Sequence, residues 1–339
     1  MILYSLVAVL AAGLTLPVDN HYENKGFLYT RQQILNRLCL VSVFLLLFLV
    51  SALRLNVGND YAKYVEFMHL IRCDAVVPTE FGFNWVVKIL YGISGFENYL
   101  LVFAVFAFAT IYLFLKAIYQ QADSFPFSFF LFMALGYYFQ TFNTVRYYLA
   151  LAIALFAIPY VLRKEWGKFI LLILLGATMH KSLLVVIPLY FLASRCWKKW
   201  QLVLAALFCS TFFFLQDFYL KLVVFLYPTY EDTEYLEGGT SMINILRCAA
   251  VLVLALLCYK KCVKENIRNR FYFYCNLGAL VMYVCCSFLP IISRIGYYLT
   301  ITHIFFLPAL VNGIENEKLK KLCRVGVILA GIVYFAVFI

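Results

Sequence analysis

The amino-acid sequence predicts an all-α polytopic membrane protein with about 12 transmembrane helices, and three observations carry the prediction. First, 65% of the 339 residues are hydrophobic and 13% are charged, with a mean hydropathy of +0.88. That is more apolar surface than a soluble fold of this length can bury. Second, the apolar residues come in uninterrupted blocks of roughly 15 to 25, the length an α-helix needs to cross about 30 Å of hydrocarbon; a β-barrel would alternate instead. Third, the 28 Lys and Arg, which set a formal net charge of +11, sit in short clusters between the blocks. That is the pattern of cytoplasmic loops, and no nucleic-acid partner is expected.

Taken in order, the blocks place spans near residues 1–16, 34–53, 98–119, 126–141, 144–162, 201–217, 242–259, 270–289, 297–313 and 322–339. The first block lacks the basic start and small-residue cleavage site of a signal peptide, so it reads as a retained helix. The stretch 169–193 carries His180-Lys181 near its middle, with Arg163, Lys164 and Lys168 before it and Arg195, Lys198 and Lys199 after it. A single crossing would put these clusters on opposite faces and leave Lys181 near the bilayer centre, at a cost of roughly 2.5 to 3.5 kcal/mol. A short-armed hairpin, Phe169 to Met179 and Ser182 to Ala193, avoids both penalties. With both termini outside, it also leaves most Lys and Arg on the cytoplasmic side. Each arm reaches only about 17 to 20 Å. His180 is therefore expected at the floor of an outward-open pocket, where non-helical backbone survives only beside a cavity or inside protein.

The whole of 1–339 reads as one integral membrane domain with two outer loops, 54–97 and 228–241. Within the first, Phe81 to Ile93 reads as an amphipathic helix lying on the membrane, with Trp85 and Tyr91 as interface anchors. No Gly-rich nucleotide loop is present. The 11 cysteines are scattered without a CxxC pair or a histidine at metal spacing, so neither a zinc site nor a disulfide framework is expected. The acidic cluster Glu231, Asp232, Glu234 and Glu237 beside Gly238-Gly239 reads as a solvated lid. No metal and no cofactor are expected.

In this topology four polar features converge at the outer ends of helices distant in sequence: Arg54 with Gly58-Asn59-Asp60-Tyr61, Asn143 with Arg146, His180 with Lys181, and Arg294. Three guanidiniums on one face suit an anion, and their planar bidentate donors match phosphate oxygens; a diphosphate fits the count. Lys181 or Lys63 are candidates for a fourth charge. His180 is the leading candidate base, because an unperturbed imidazole titrates near pH 6.5. Asp60 reads equally as a helix cap and as a functional carboxylate. His303, inside an apolar helix, reads as a helix-to-helix hydrogen-bonder.

The segments Arg54-Leu-Asn-Val-Gly-Asn-Asp-Tyr61, Glu80-Phe-Gly-Phe83, Phe142-Asn-Thr-Val-Arg-Tyr-Tyr-Leu-Ala150 and Met179-His-Lys-Ser-Leu183 leading to Pro188 resemble the EpsG family of bacterial membrane proteins, which groups with Wzy-type polysaccharide polymerases. The resemblance spans roughly residues 40–195; Asn59 and Tyr147 depart from the family's usual Thr and Gln. It implies a membrane glycosyltransferase of GT-C-like architecture in the bacterial inner membrane, with its active site extracytoplasmic. Such an enzyme polymerises undecaprenyl-diphosphate-linked oligosaccharide repeat units. His180 or Asp60 would be the base, and Arg54, Arg146 and Arg294 would hold the diphosphate. The implied partners are the lipid-linked oligosaccharide, the membrane, a chain-length regulator and other polysaccharide assembly proteins. Aromatics at outer helix ends, Tyr137, Tyr138, Phe139, Tyr297 and Tyr298, would line a groove for the lipid tail or form an interface belt. Three other readings compete, one of them an O-antigen ligase-like transferase whose acceptor would be a lipid A core or a protein. A flippase of the same lipid-linked sugars needs charges through the membrane depth, whereas a non-catalytic scaffold of an export complex converts nothing.

Overall fold

The computed structural model describes residues 2–21, 30–226, 241–289 and 292–338. Among them there is no strand: every regular element is helical, as all-α patterning requires where backbone polar groups must be satisfied within each segment. The chain divides into two compact units, Met1–Leu184 with Leu307–Ile339, and Val185–Phe306. The outer loop expected at 228–241, with its acidic cluster, lies almost wholly outside the described residues.

The first unit begins with α1 (Ile2–Thr15), α2 (Arg31–Ala52), α3 (Tyr61–Arg72), α4 (Phe81–Ser94) and α5 (Tyr99–Gln121). It continues with α6 (Phe125–Ala134), α7 (Tyr137–Gln140), α8 (Val145–Leu162) and α9 (Trp166–Ala177). Helix starts follow capping chemistry. The Thr30 hydroxyl accepts from the Gln33 N–H while Gln33 Oε1 accepts from the Thr30 N–H at 3.2 Å, a capping box that starts α2. Asn98 accepts from the Leu101 N–H at 3.0 Å and starts α5. Gly136, at φ +77°, separates α6 from α7, so the block read as one span at 126–141 is broken where the backbone turns left-handed. α5 packs against both α2 and α8, and α8 packs against α9.

The second unit contains α10 (Val186–Ala193), α11 (Lys199–Phe214), α12 (Gln216–Leu226), α13 (Met242–Leu257), α14 (Ile267–Cys285) and α15 (Ile292–Thr300). α14 is its centre, packed by α10, α11, α13 and α15. The chain passes back to the first unit within α16 (His303–Asn312), and α17 (Glu317–Phe338) packs on α6.

Among the described residues, four helices are long and apolar enough to cross a membrane: α2, α5, α8 and the stretch Ile292–Asn312. A fifth is reached if α11 and α12, bent by 84°, count as one span. The expected twelve crossings would require the shorter apolar helices as well. The outer surface is apolar: α2 exposes Leu35, Leu38, Val41, Leu45 and Leu49 while burying Cys39, Val43 and Leu47. A stripe of that kind is covered by lipid or protein, not water. The break expected at His180 is present, with α9 ending at Ala177 and a 3-10 turn, Lys181–Val185, leading into α10. The first arm of the expected hairpin belongs to the first unit and α10 to the second.

Candidate functional site

α8 and α9 run back against each other through a tight turn, Arg163-Lys164-Glu165, in which Lys164 takes φ +59° and Glu165 pairs with Arg163 and Lys168 at 2.6 Å each. The antiparallel pair brings Arg146, in the first turn of α8, and His180, just past the end of α9, to the same end, away from the basic turn. Glu80, the residue that begins α4, lies between them. One carboxylate oxygen, Oε2, pairs with the Arg146 guanidinium. The other, Oε1, accepts from the Lys181 backbone N–H at 3.0 Å and lies 3.2 Å from His180 Nδ1. That last contact is at ion-pair distance but out of line for a hydrogen bond.

The three side chains are largely enclosed, with 12% of Arg146, 14% of Glu80 and 17% of His180 accessible. Arg146 lies over the rings of Tyr64 and Phe83, 5.6 and 5.3 Å from their centroids, and His180 stands edge-on to Tyr147 at 5.8 Å. Burial pushes the Glu80 carboxyl up. The His180 contact, the Arg146 charge and the Lys181 N–H outweigh it and hold the group down at about 2, so it is ionised at neutral pH.

Two glycines make this convergence sterically feasible. Gly82 donates its N–H to the Thr178 carbonyl at 3.0 Å, and a Cβ there would sit 2.6 Å from Thr178 Oγ1 and 2.7 Å from its carbonyl oxygen. α4 can thus dock directly on the segment that presents His180. Gly58, at φ +106°, faces the backbone of Phe142, whose carbonyl a Cβ would strike. Beside it, the Asn59 N–H donates to Asn143 Oδ1 at 3.1 Å. The start of α3 is thereby tied to the turn before α8.

Three of the four features expected to converge are therefore together in the first unit. Asp60 stands at the N-cap of α3, half-buried, but its carboxylate makes no capping hydrogen bond. Arg54 is closer to a packing residue than an open anion ligand. It is 7% exposed, donates to the Ser51 carbonyl and hydroxyl at 3.1 and 3.0 Å, and lies 5.0 Å from Phe103 and 5.2 Å from Phe142. Arg294 lies in the second unit, half-buried on α15. Lys181 contributes its backbone to Glu80 and keeps an exposed side chain. Tyr137, Tyr138, Phe139 and Tyr298, expected at a groove or interface, are buried within their units; Tyr138 donates to the Leu47 carbonyl at 2.8 Å.

Sequence reasoning quoted Glu80 only within a motif and gave it no role. Its signal was charge balance: Arg146, His180 and Lys181 were placed together without a counter-ion, and Glu80 is the lone acid of an aromatic-flanked segment. Among the described residues, no three His, Cys, Asp or Glu side chains gather as a metal site.

The family model that matches is that of the EpsG family, over residues 37–339. The chain belongs to the EpsG family. The match extends the resemblance seen at 40–195 to nearly the whole chain, including the second unit, and EpsG proteins are a Wzy-type polysaccharide polymerase family. No curated protein and no solved structure matches the chain. Family membership and the apolar helices together point to a membrane protein with a polysaccharide polymerase role.

Proposed function

We propose that this EpsG protein polymerises undecaprenyl-diphosphate-linked oligosaccharide repeat units at the extracytoplasmic face of the inner membrane. The observation that carries the reading is the meeting of Glu80 with both Arg146 and His180. A growing glycan is moved from its lipid diphosphate to a hydroxyl of another lipid-linked unit. The new glycosidic C–O bond forms as the C–O bond to the diphosphate breaks, and the diphosphate leaves with the electron pair. His180 takes the acceptor hydroxyl's proton at Nε2, while Nδ1 faces Glu80, whose negative charge orients the ring and stabilises the imidazolium that forms. Asp60 is the alternative base.

Negative charge builds on the leaving diphosphate, where Arg146 offers a planar donor set. Its Nε has no hydrogen-bond partner within the protein. Arg54, enclosed by Phe103 and Phe142, acts as a fixed positive charge behind the site. The arginines supply this stabilisation in a way that requires no metal.

Purified protein reconstituted with a lipid-linked repeat unit should produce a ladder of polymers on a gel. Arg146→Lys should be expressed and folded yet severely impaired, since a point ammonium cannot reproduce a guanidinium's geometry. The absence of a ladder from wild-type protein would favour the scaffold reading.

A further inference from the structure

A cleft of about 540 Å³ opens between the end of α3 and the outer face of α4, within the range of roughly 300–1,000 Å³ of small-ligand sites. One wall is apolar and aromatic, built from Phe81, Trp85 and Ile89, which recur every four residues along α4. Phe81 and Trp85 are each 65% exposed. Asn84 and Lys88 add polar groups from the same helix, and Ile71, Asp74 and Ala75 close the cleft from the end of α3. Lys88 pairs with Asp74, and the Thr79 hydroxyl donates to Asn84 Oδ1 at 2.5 Å, fixing the amide at the cleft's edge. Asp74 holds its place through a left-handed turn at φ 53°.

We propose that this cleft is a saccharide-binding subsite that receives the glycan of the acceptor, resting on the polymerase reading above. A pyranose ring presents a sheet of C–H bonds on one face and hydroxyls around its edge. It needs an aromatic plane with fixed acceptors and donors beside it, which Trp85, Asp74, Lys88 and Asn84 supply. The position fits the chemistry: Trp85 follows Glu80 by five residues, about 7.5 Å of helix rise. A glycan of two or three rings is long enough to cover that rise and pass round the start of α4 toward the Glu80–His180 pair. A lipid chain is the poorer occupant, because packing hydrocarbon against an ion pair and an amide removes their water without replacing it.

The test uses soluble oligosaccharides of two or three repeat units, released by partial acid hydrolysis from the extracellular polysaccharide of the producing cell. They are titrated calorimetrically into the full-length protein in nanodiscs. Wild-type protein should bind, and Trp85→Ala should bind about tenfold more weakly or worse, a change of about 1.4 kcal/mol. Ala75→Trp, which fills the cleft from an exposed position, should also abolish binding; it covers the case in which Trp85→Ala fails to fold. In the reconstituted polymerase assay, the same variants should raise the concentration of acceptor needed for half-maximal rate.

No glycan binding, or binding unchanged in both variants, overturns the subsite. So does quenching of Trp85 by brominated lipid, assigned through Trp85→Phe, that glycan does not relieve. Polymerisation by wild type with unaltered acceptor dependence in both variants sinks the subsite alone. Cleft-dependent glycan binding without any ladder upholds the subsite and sinks the polymerase reading.

Discussion

The two units each enclose a histidine and an arginine among apolar helices, and they treat them oppositely. In the second unit His303 is fully buried. Its Nε2 meets Asn276 Oδ1 at 2.8 Å, Asn276 donates in turn to the Cys248 carbonyl at 3.1 Å, and Arg247 donates to Thr300 Oγ1 at 3.2 Å. These three acceptors are neutral. In the first unit His180 and Arg146 share a carboxylate, and all three side chains keep some solvent access. Hydrogen bonds to neutral groups between packed helices fix helix register. A charged network at a helix break, open at one edge, can exchange a proton and meet an anion. The residue types alone do not separate these cases; the partner and the access do.

The largest effect should come from exchanging the two histidines for an amide. His180→Gln keeps a polar group beside Glu80 but cannot take a proton, so polymerisation should fall by about 10² to 10⁴-fold while lipid-linked substrate still binds. His303→Gln should instead lower the unfolding temperature and leave the rate per folded molecule near wild type. A normal rate for His180→Gln would make that histidine as structural as His303 and move the base to Asp60.

Much of this contrast was legible in the sequence, and the illegible part has a physical cause. The long helices appear within a few residues of the apolar blocks, as with α8, expected at 144–162 and found at Val145–Leu162. The hydrogen-bonding role of His303 and the break at His180 follow from where polar residues interrupt apolar runs. α3 was read as loop, because Tyr61–Arg72 mixes polar residues with the buried set Tyr61, Tyr64, Met68 and Ile71, a pattern too polar for a span. Glu80 was missed because its partners lie 66 and 101 positions away, and only the folded chain measures that separation.

A second, smaller effect tests the carboxylate at the heart of the first network. The Glu80 carboxyl is held at about 2 against an ordinary 4.5. Its contribution to stability is therefore fully present above about pH 4.5 and is lost as pH falls toward 2, where the folded form also takes up the proton. Glu80→Gln should unfold at lower temperature than wild type at neutral pH, by less than the about 3–5 kcal/mol of a fully buried broken pair, since the pair retains some solvent access. The gap between the two proteins should narrow from pH 4.5 to pH 2, read by near-ultraviolet circular dichroism in detergent. A gap independent of pH would mean that Glu80 acts by shape and not by charge.

The smallest effect separates the units by backbone approach, using one glycine from each. At Gly82 an added methyl meets the Thr178 carbonyl oxygen at 2.7 Å. Neither backbone can yield without moving the start of α4, so Gly82→Ala should cost about 1–3 kcal/mol. It should also reduce activity beyond the loss of folded protein, because the displaced helix end carries Glu80. At Gly278, within α14, the same methyl meets only Leu299 Cδ1 at 3.5 Å, an ordinary contact. There the gain in helix propensity dominates, and Gly278→Ala should be neutral or stabilise by up to about 1 kcal/mol with unchanged activity. Parallel melting curves and ladder assays on the two variants decide the matter. If Gly82→Ala behaves like Gly278→Ala, the close approach of α4 to Thr178 is not what holds Glu80 against His180, and the site is positioned by the Arg146 pair and the Lys181 N–H.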